Sequence, residues 1–263
     1  MLRRPLLLTG LCLTLIPFSG CAPSGIEPLR VGMELAYPPF ETQTASGEPD
    51  GVSVKIAEAL AAELGRPLKV VPMEYSALPT SLKTGKIDLV ISSMTATDER
   101  RKSLDFSDPY AFTSLALLVA RDSSVQSIDD LKTPGRKVAV KSATTGEAWA
   151  RVHLPDAKLT AFTEDTACVL EIAQGRADAF MYDQLSIYRY QQKNSDTTRA
   201  ILKPFTEEPW AIGLAQGQPE LLAQVNAFLK KFRAEGGFDR LAEQYLKDEK
   251  AAMEAQGIPF MLR

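Results

Sequence analysis

Two stretches decide the fold: Gly85-Lys86-Ile87-Asp88-Leu89-Val90-Ile91 and Gly175-Arg176-Ala177-Asp178-Ala179-Phe180-Met181. Each reads glycine, base, apolar residue, aspartate, apolar residue, and each follows a run with helical spacing. The glycine stands just past the last periodic residue, where helices stop. The near-continuous apolar run behind it is that of a strand buried on both faces. Upstream of the first stretch, Leu29–Met33 reads as a strand. Val52–Leu64 follows with Val54, Ile56, Ala57, Leu60, Ala61 and Leu64 at helical spacing before Gly65. Leu68–Met73 then reads as a strand and Leu78–Thr84 as the helix that Gly85 ends. Upstream of the second stretch, Lys137–Val140 reads as a strand, and Gly146–Val152 and Val169–Ala173 read as helices. Strands alternating with helices predict α/β layers on a parallel sheet, here twice over, as two similar lobes.

Two further apolar runs read as crossings between the lobes. One is Leu115–Ala120; the other is Ala211–Ala215, bounded by Pro209 and by Gly217 and Pro219. They predict a discontinuous first lobe, 29–116 with 213–263, and a continuous second lobe, 117–212. Leu221–Phe232 and Phe238–Leu246 read as two amphipathic helices separated at Gly236-Gly237.

The composition suits such a chain. It has 263 residues, 45% hydrophobic and 24% charged, with 17 prolines and 16 glycines, an ordinary globular balance. Lys and Arg total 30 against 33 Asp and Glu, a net charge of −3. No global positive field exists to attract phosphates, so no nucleic-acid partner is expected. His153 is the single histidine, and no metal or other cofactor is expected.

The start reads as an export signal. Arg3 and Arg4 precede an apolar run, Leu6–Phe18, too short for a membrane span. Ser19-Gly20-Cys21 resembles a bacterial lipobox, although Phe18 stands where that motif usually has leucine. Removal of 1–20 would leave Cys21 lipidated, with Ala22–Pro28 as a tether. The expected location is the periplasm or cell surface, anchored to the membrane by the lipid on Cys21. Cys12 leaves with the signal, so Cys168 has no partner and is expected to pack as a small hydrophobe.

Ligands of open parallel sheets bind outside the carboxyl ends of the strands. At those ends stand Glu34, Ser92-Ser93, Lys141 and, after Tyr182, Asp183. Two lobes facing each other by these edges enclose hydroxyls, a base and two carboxylates, a pocket for a small polar solute. Beyond Ser93, Thr97 is placed to cap a short helix that carries Arg100, whose planar fork suits a carboxylate. Thr144 and Glu147 have capping-box spacing, and the amides of a helix start attract anions. Asp183 can receive an ammonium group. Tyr37 and Tyr75 can form an apolar wall, while Phe40 is assigned to the core. Taken singly, Arg100 reads as a solvated arginine and Thr144 as an ordinary cap; their joint placement at strand ends carries the reading.

These residues also resemble the periplasmic solute-binding proteins of polar amino acid ABC transporters, solute-binding protein family 3. The resemblance spans Leu29 to Leu246. It rests on Arg30-Val-Gly-Met-Glu-Leu-Ala-Tyr-Pro-Pro-Phe40, Met94-Thr-Ala-Thr-Asp-Glu-Arg100 and Asp105-Phe-Ser-Asp-Pro-Tyr110, together with Gly85-Lys-Ile-Asp88, Asp129-Asp-Leu131 and Gly175-Arg-Ala-Asp178. It implies a type II periplasmic-binding-protein fold with two hinge crossings, a ligand in the interlobe cleft, a monomer, and an ABC permease as partner. By the same resemblance Arg100 clamps the ligand α-carboxylate with Thr95 and Thr145, and Asp183 accepts the α-ammonium with Ser93. Tyr37 and Tyr75 sandwich the side chain, which Glu34 and Lys141 read. The disulfide that some members carry in the first lobe is absent from this sequence.

An acceptor and a donor in one subsite, Glu34 and Lys141, suit a neutral amide, since each repels a like charge and unpaired buried groups cost about 1–3 kcal/mol. A glutamine-like ligand is therefore expected over arginine, lysine or glutamate; the alternative is that Glu34 and Lys141 pair with each other. A rival reading is a periplasmic cyclohexadienyl dehydratase acting on prephenate or arogenate on the same fold, with Glu34 or Lys141 as proton donor. Another is the sensing module of a larger receptor, against which stands the chain's end at Arg263 with no output domain.

Overall fold

The computed structural model describes residues 26–262. The export signal and Cys21 lie outside the described residues. In chain order the strands are β1 (Leu29–Met33), β2 (Thr42–Gln43), β3 (Pro49–Asp50), β4 (Leu68–Pro72), β5 (Leu89–Val90), β6 (Leu104–Phe106), β7 (Ala111–Thr113), β8 (Leu115–Ala120), β9 (Lys137–Lys141), β10 (Lys158–Phe162), β11 (Ala179–Asp183), β12 (Thr198–Ile201), β13 (Glu208–Trp210) and β14 (Gly213–Ala215). The helices are α1 (Val52–Glu63), α2 (Leu78–Lys83), α3 (Asp98–Arg101), α4 (Thr145–His153), α5 (Asp165–Ala173), α6 (Gln184–Lys193), α7 (Pro219–Ala234), α8 (Gly237–Tyr245) and α9 (Lys247–Ala255).

Two five-stranded sheets share one plan, in the orders β4-β1-β5-β14-β6 and β10-β9-β11-β8-β12. In each, the first three strands are parallel and joined through helices. The fourth is antiparallel and is the strand that comes across from the other sheet: β14 in the first, β8 in the second. The sheets are thus mixed rather than parallel.

The repeated aspartate explains why the plan recurs. Asp88 accepts from the Arg30 amide at 2.8 Å and pairs with the Arg30 guanidinium. Asp178 accepts from the Lys137 amide at 2.7 Å and pairs with Arg136 at 3.1 Å. In both lobes this carboxylate ties the strand it precedes, β5 or β11, to the start of its parallel neighbour, β1 or β9. Gly85 and Gly175 take left-handed φ of 67° and 66°, which glycine adopts without a Cβ clash.

Of the two expected crossings, Leu115–Ala120 is the inner strand β8, and Ala211–Ala215 ends in the inner strand β14. Their uninterrupted apolar runs are buried on both faces, so they pair inside sheets. The chain instead crosses at β7 and β13, which pair antiparallel with Glu208 opposite Thr113 and Trp210 opposite Ala111. The expected boundary at 116/117 cuts through β8, which lies wholly in the second sheet.

The core follows the predicted periodicities. Val52, Val54, Ile56, Ala57, Leu60 and Ala61 of α1 are buried in one cluster with Leu29, Val31 and Met33 of β1, which are fully enclosed. Each of the buried Val, Leu, Ile and Met side chains contributes about 1.5–3 kcal/mol. Cys168 is free and buried in α5, and burial pushes its thiol up to about 12. Phe40 is fully buried. No helix of the described residues is long and apolar enough to cross a membrane.

Candidate functional site

The carboxyl ends of β1 and β5 face those of β9 and β11 across a cavity with about 470 Å³ of empty space, part of it open to solvent. Glu34, Tyr37, Tyr75, Ser92, Ser93, Thr95, Thr144, Thr145, Tyr182 and Asp183 all line it. Lys141 and Arg100 do not.

Lys141 ends β9 and lies behind the cavity wall. Its Nζ donates to Glu34 Oε2 at 2.5 Å, joining the two sheets. Burial lifts the Glu34 carboxyl, and the charge and hydrogen bond of Lys141 oppose that rise. The backbone amide of Tyr75 reaches the other Glu34 oxygen at 3.4 Å. The ammonium expected to face a ligand is therefore committed to Glu34.

Arg100 sits at the mouth, in an adjoining groove that shares Thr144 and Thr145 with the cavity. Thr97 caps its helix, as its spacing predicts, accepting from the Arg100 amide at 3.2 Å. The guanidinium donates to the Thr95 carbonyl at 2.8 Å and, across the cleft, to the Ala143 carbonyl at 3.0 Å. It also lies over the Tyr75 ring, 5.7 Å from the centroid. A guanidinium has more donors than these carbonyls take up.

The opposite wall is the start of α4. Thr144 caps it, accepting from Glu147 N at 3.4 Å and donating to the Lys141 carbonyl at 2.7 Å. The return arm of the capping box goes one residue further back, to the Ala143 amide at 2.7 Å. Gly146 is required here: a Cβ would stand 2.8 Å from the Met181 carbonyl. Without a side chain, the helix start comes close against β11.

Asp183 closes β11 and caps α6, accepting from Ser186 N at 2.9 Å through Oδ1. Its Oδ2 is buried and has no hydrogen-bond partner. Burial raises this carboxyl, with Tyr37 and Ser186 opposing. Tyr37 presents its ring edge-on to Tyr182 and Trp210 at 6.0 and 5.9 Å between centroids. Ser92 is spent on the backbone, accepting from Glu34 N at 3.0 Å, and so shapes the site.

Sequence reasoning missed Glu41, Glu208, Thr113, Leu115 and Trp210, which also line the cavity. Glu41 is fully buried and receives the Ser93 hydroxyl at 3.0 and 3.1 Å. Glu208 lies on the crossing strand β13, flanked by the hydroxyls of Thr145, Thr95 and Thr206, and burial raises its carboxyl. The available signals were position: Glu41 follows the buried aromatic turn, and Glu208 precedes the Pro209-Trp210 boundary of a crossing.

A family model, bacterial extracellular solute-binding proteins, family 3, matches residues 29–248. The L-cystine-binding protein TcyJ of Escherichia coli is 31% identical over 219 residues, 82% of each chain. The ABC transporter glutamine-binding protein GlnH of Bacillus subtilis is 31% identical over 211 residues, 79% of this chain and 76% of the relative. A crystal structure of the ancestral amino acid-binding protein AncCDT-1, a precursor of cyclohexadienyl dehydratase, superposes with a TM-score of 0.76 at 38% identity, covering 83% of this chain and 95% of that one.

Proposed function

Because the chain belongs to family 3 of the bacterial extracellular solute-binding proteins, we propose that it captures a free polar amino acid between its lobes. Lobe closure would trap the ligand, and the closed form would deliver it to the permease of an ABC transporter. The observation that carries this reading is Asp183 Oδ2, a buried carboxylate oxygen that receives no well-formed hydrogen bond and has only the Tyr37 hydroxyl set against it, in a polar cavity between two sheets. A buried carboxylate with no counter-charge is costly, and an α-ammonium supplies one, with Ser93 beside it. Arg100 and the first amides of α4 take the α-carboxylate, helped by the hydroxyls of Thr95 and Thr145. Tyr37, Tyr75 and Tyr182 flank the aliphatic part.

Closing the lobes is what assembles this site, since Arg100 meets Ala143 and Glu34 meets Lys141 only across the cleft. Ligand that touches both lobes therefore shifts the open–closed equilibrium toward closure. The monomeric state and the lipid on Cys21 belong to the same proposal; mass spectrometry of the membrane fraction tests the lipid.

The glutamine preference argued from the sequence needs a donor from Lys141, whose ammonium is paired with Glu34 and does not line the cavity. The ligand is accordingly proposed at the level of a polar amino acid. The dehydratase reading fits the cavity less well, because prephenate brings two carboxylates to a wall that holds Glu34, Asp183 and Glu208. Thermal-shift measurement with all twenty amino acids tests the proposal: a binder raises apparent stability by mass action. A rise with prephenate alone, accompanied by phenylpyruvate formation, contradicts it.

A further inference from the structure

The closed site does not balance its charge around Glu34. Glu34 and Glu41 both line the cavity, and the ammonium set against them, Lys141, is already paired with Glu34. Glu41 is fully buried on the turn after Phe40. The groups facing it are the Ser93 and Ser53 hydroxyls, the Tyr110 hydroxyl, Glu34 from β1 and Lys141 from β9. Asp165 adds a further negative charge near Glu34 and Lys141, and Asp183 and Glu208 line the remaining wall. The Ser93 hydroxyl donates a hydrogen bond to Glu41, and none of these hydroxyls supplies a counter-charge. Carrying a second carboxylate out of water against one ammonium is expensive, so a proton or a ligand must neutralise it.

We propose that the site exchanges a proton for a cationic side chain: Glu41 keeps its proton in the ligand-free protein and beside a neutral side chain, and releases it when a guanidinium or ammonium side chain enters. The exchange balances, with one proton leaving an O–H for solvent and one positive charge of the ligand taking its place. No bond to the ligand is made. The proposal rests on the amino acid reading above. Burial does raise the Glu41 carboxyl, to about 8, against the hydroxyls of Ser53 and Ser93.

The consequence is a selectivity that follows pH. A cationic ligand must expel the proton below pH 8, so its affinity weakens by up to about tenfold per pH unit. A neutral ligand of the same shape is spared this. Any proton linkage of Asp183 is common to all α-ammonium groups and cancels between two amino acids.

The test is calorimetry of arginine and of citrulline, its neutral isostere, at pH 6 and 7 in buffers of different ionisation enthalpy. The expected result is that arginine releases close to one proton more than citrulline at pH 7. The arginine-to-citrulline affinity ratio falls by roughly tenfold at pH 6. Glu41→Gln removes the difference. Carboxyl ¹³C NMR of the wild-type protein reads Glu41 directly if that variant does not fold: it titrates near 8 without ligand and stays ionised through pH 6 with arginine. Equal proton release for both ligands, citrulline binding without arginine binding, or an unchanged difference in Glu41→Gln overturns the exchange and leaves the amino acid reading standing. Absence of binding by these and by every other amino acid overturns both.

Discussion

Lys141 Nζ meets Glu34 Oε2 at 2.5 Å from the opposite sheet, with only 1% and 9% of the two side chains exposed. These are the residues assigned to reading the ligand side chain, and in the closed molecule they hold each other. Removing one partner of a buried pair leaves an uncompensated charge and costs about 3–5 kcal/mol. Lys141→Met is expected to lose stability on that scale in urea unfolding, and adding Glu34→Gln to recover much of it. A single variant as stable as the wild type would show that the pair does not hold the lobes.

Arg100 makes two contacts that differ in kind. Its bond to the Thr95 carbonyl stays within one lobe, whereas its bond to Ala143 spans the cleft. Arg100→Ala is expected to lose at least a hundredfold in amino acid affinity while the thermal midpoint moves little, because the side chain sits at the mouth and outside the core. Calorimetry and a melting curve on the same sample check this. Retained affinity counts against the clamp.

The close approach of α4 to β11 depends on Gly146. In Gly146→Ala the new methyl would stand 2.8 Å from the Met181 carbonyl, so the helix start must move. Overpacking of this kind costs about 1–3 kcal/mol. The displaced amides should also weaken ligand binding. A crystal structure of the variant with α4 unshifted would refute the geometric argument.

Glu41 makes stability depend on pH in a definite sense. Its native carboxyl titrates at about 8, raised by burial from an ordinary 4.5. The native state therefore holds a proton that the unfolded chain gives up. The stabilisation is complete below pH 4.5 and is lost as pH rises toward 8, by up to about 1.4 kcal/mol per pH unit. Ligand-free protein followed by urea unfolding from pH 5 to 8 should show this decline, and Glu41→Gln should flatten it. An equal slope in the variant assigns the decline elsewhere.

The sequence exposes those parts of the molecule whose burial is local. β1, β9 and β11 are legible because apolar runs alternate with helices of clean 3.6 spacing, and Gly85 and Gly175 mark the stops. β6, β10 and β12 escape notice because they are short or half exposed and gain their pairing only from distant strands. α6 is hidden by its Gln- and Tyr-rich surface, although Asp183 caps it. In the site, Glu34 and Asp183 are visible from strand ends. Glu41 and Glu208 are not, since a turn and a crossing, rather than strand ends, bring them to the cavity. The pairing of Glu34 with Lys141 joins residues 107 apart in the chain, and no local pattern reports it.

The central claim is that Asp183 grips the ammonium end of an amino acid. Asp183→Asn keeps a side-chain oxygen able to cap α6 and removes the charge. Calorimetry of this variant with whichever amino acid stabilises the wild type tests the claim most directly. The expected result is a loss of at least a hundredfold in affinity with the fold retained; wild-type affinity in the variant would rule out the grip.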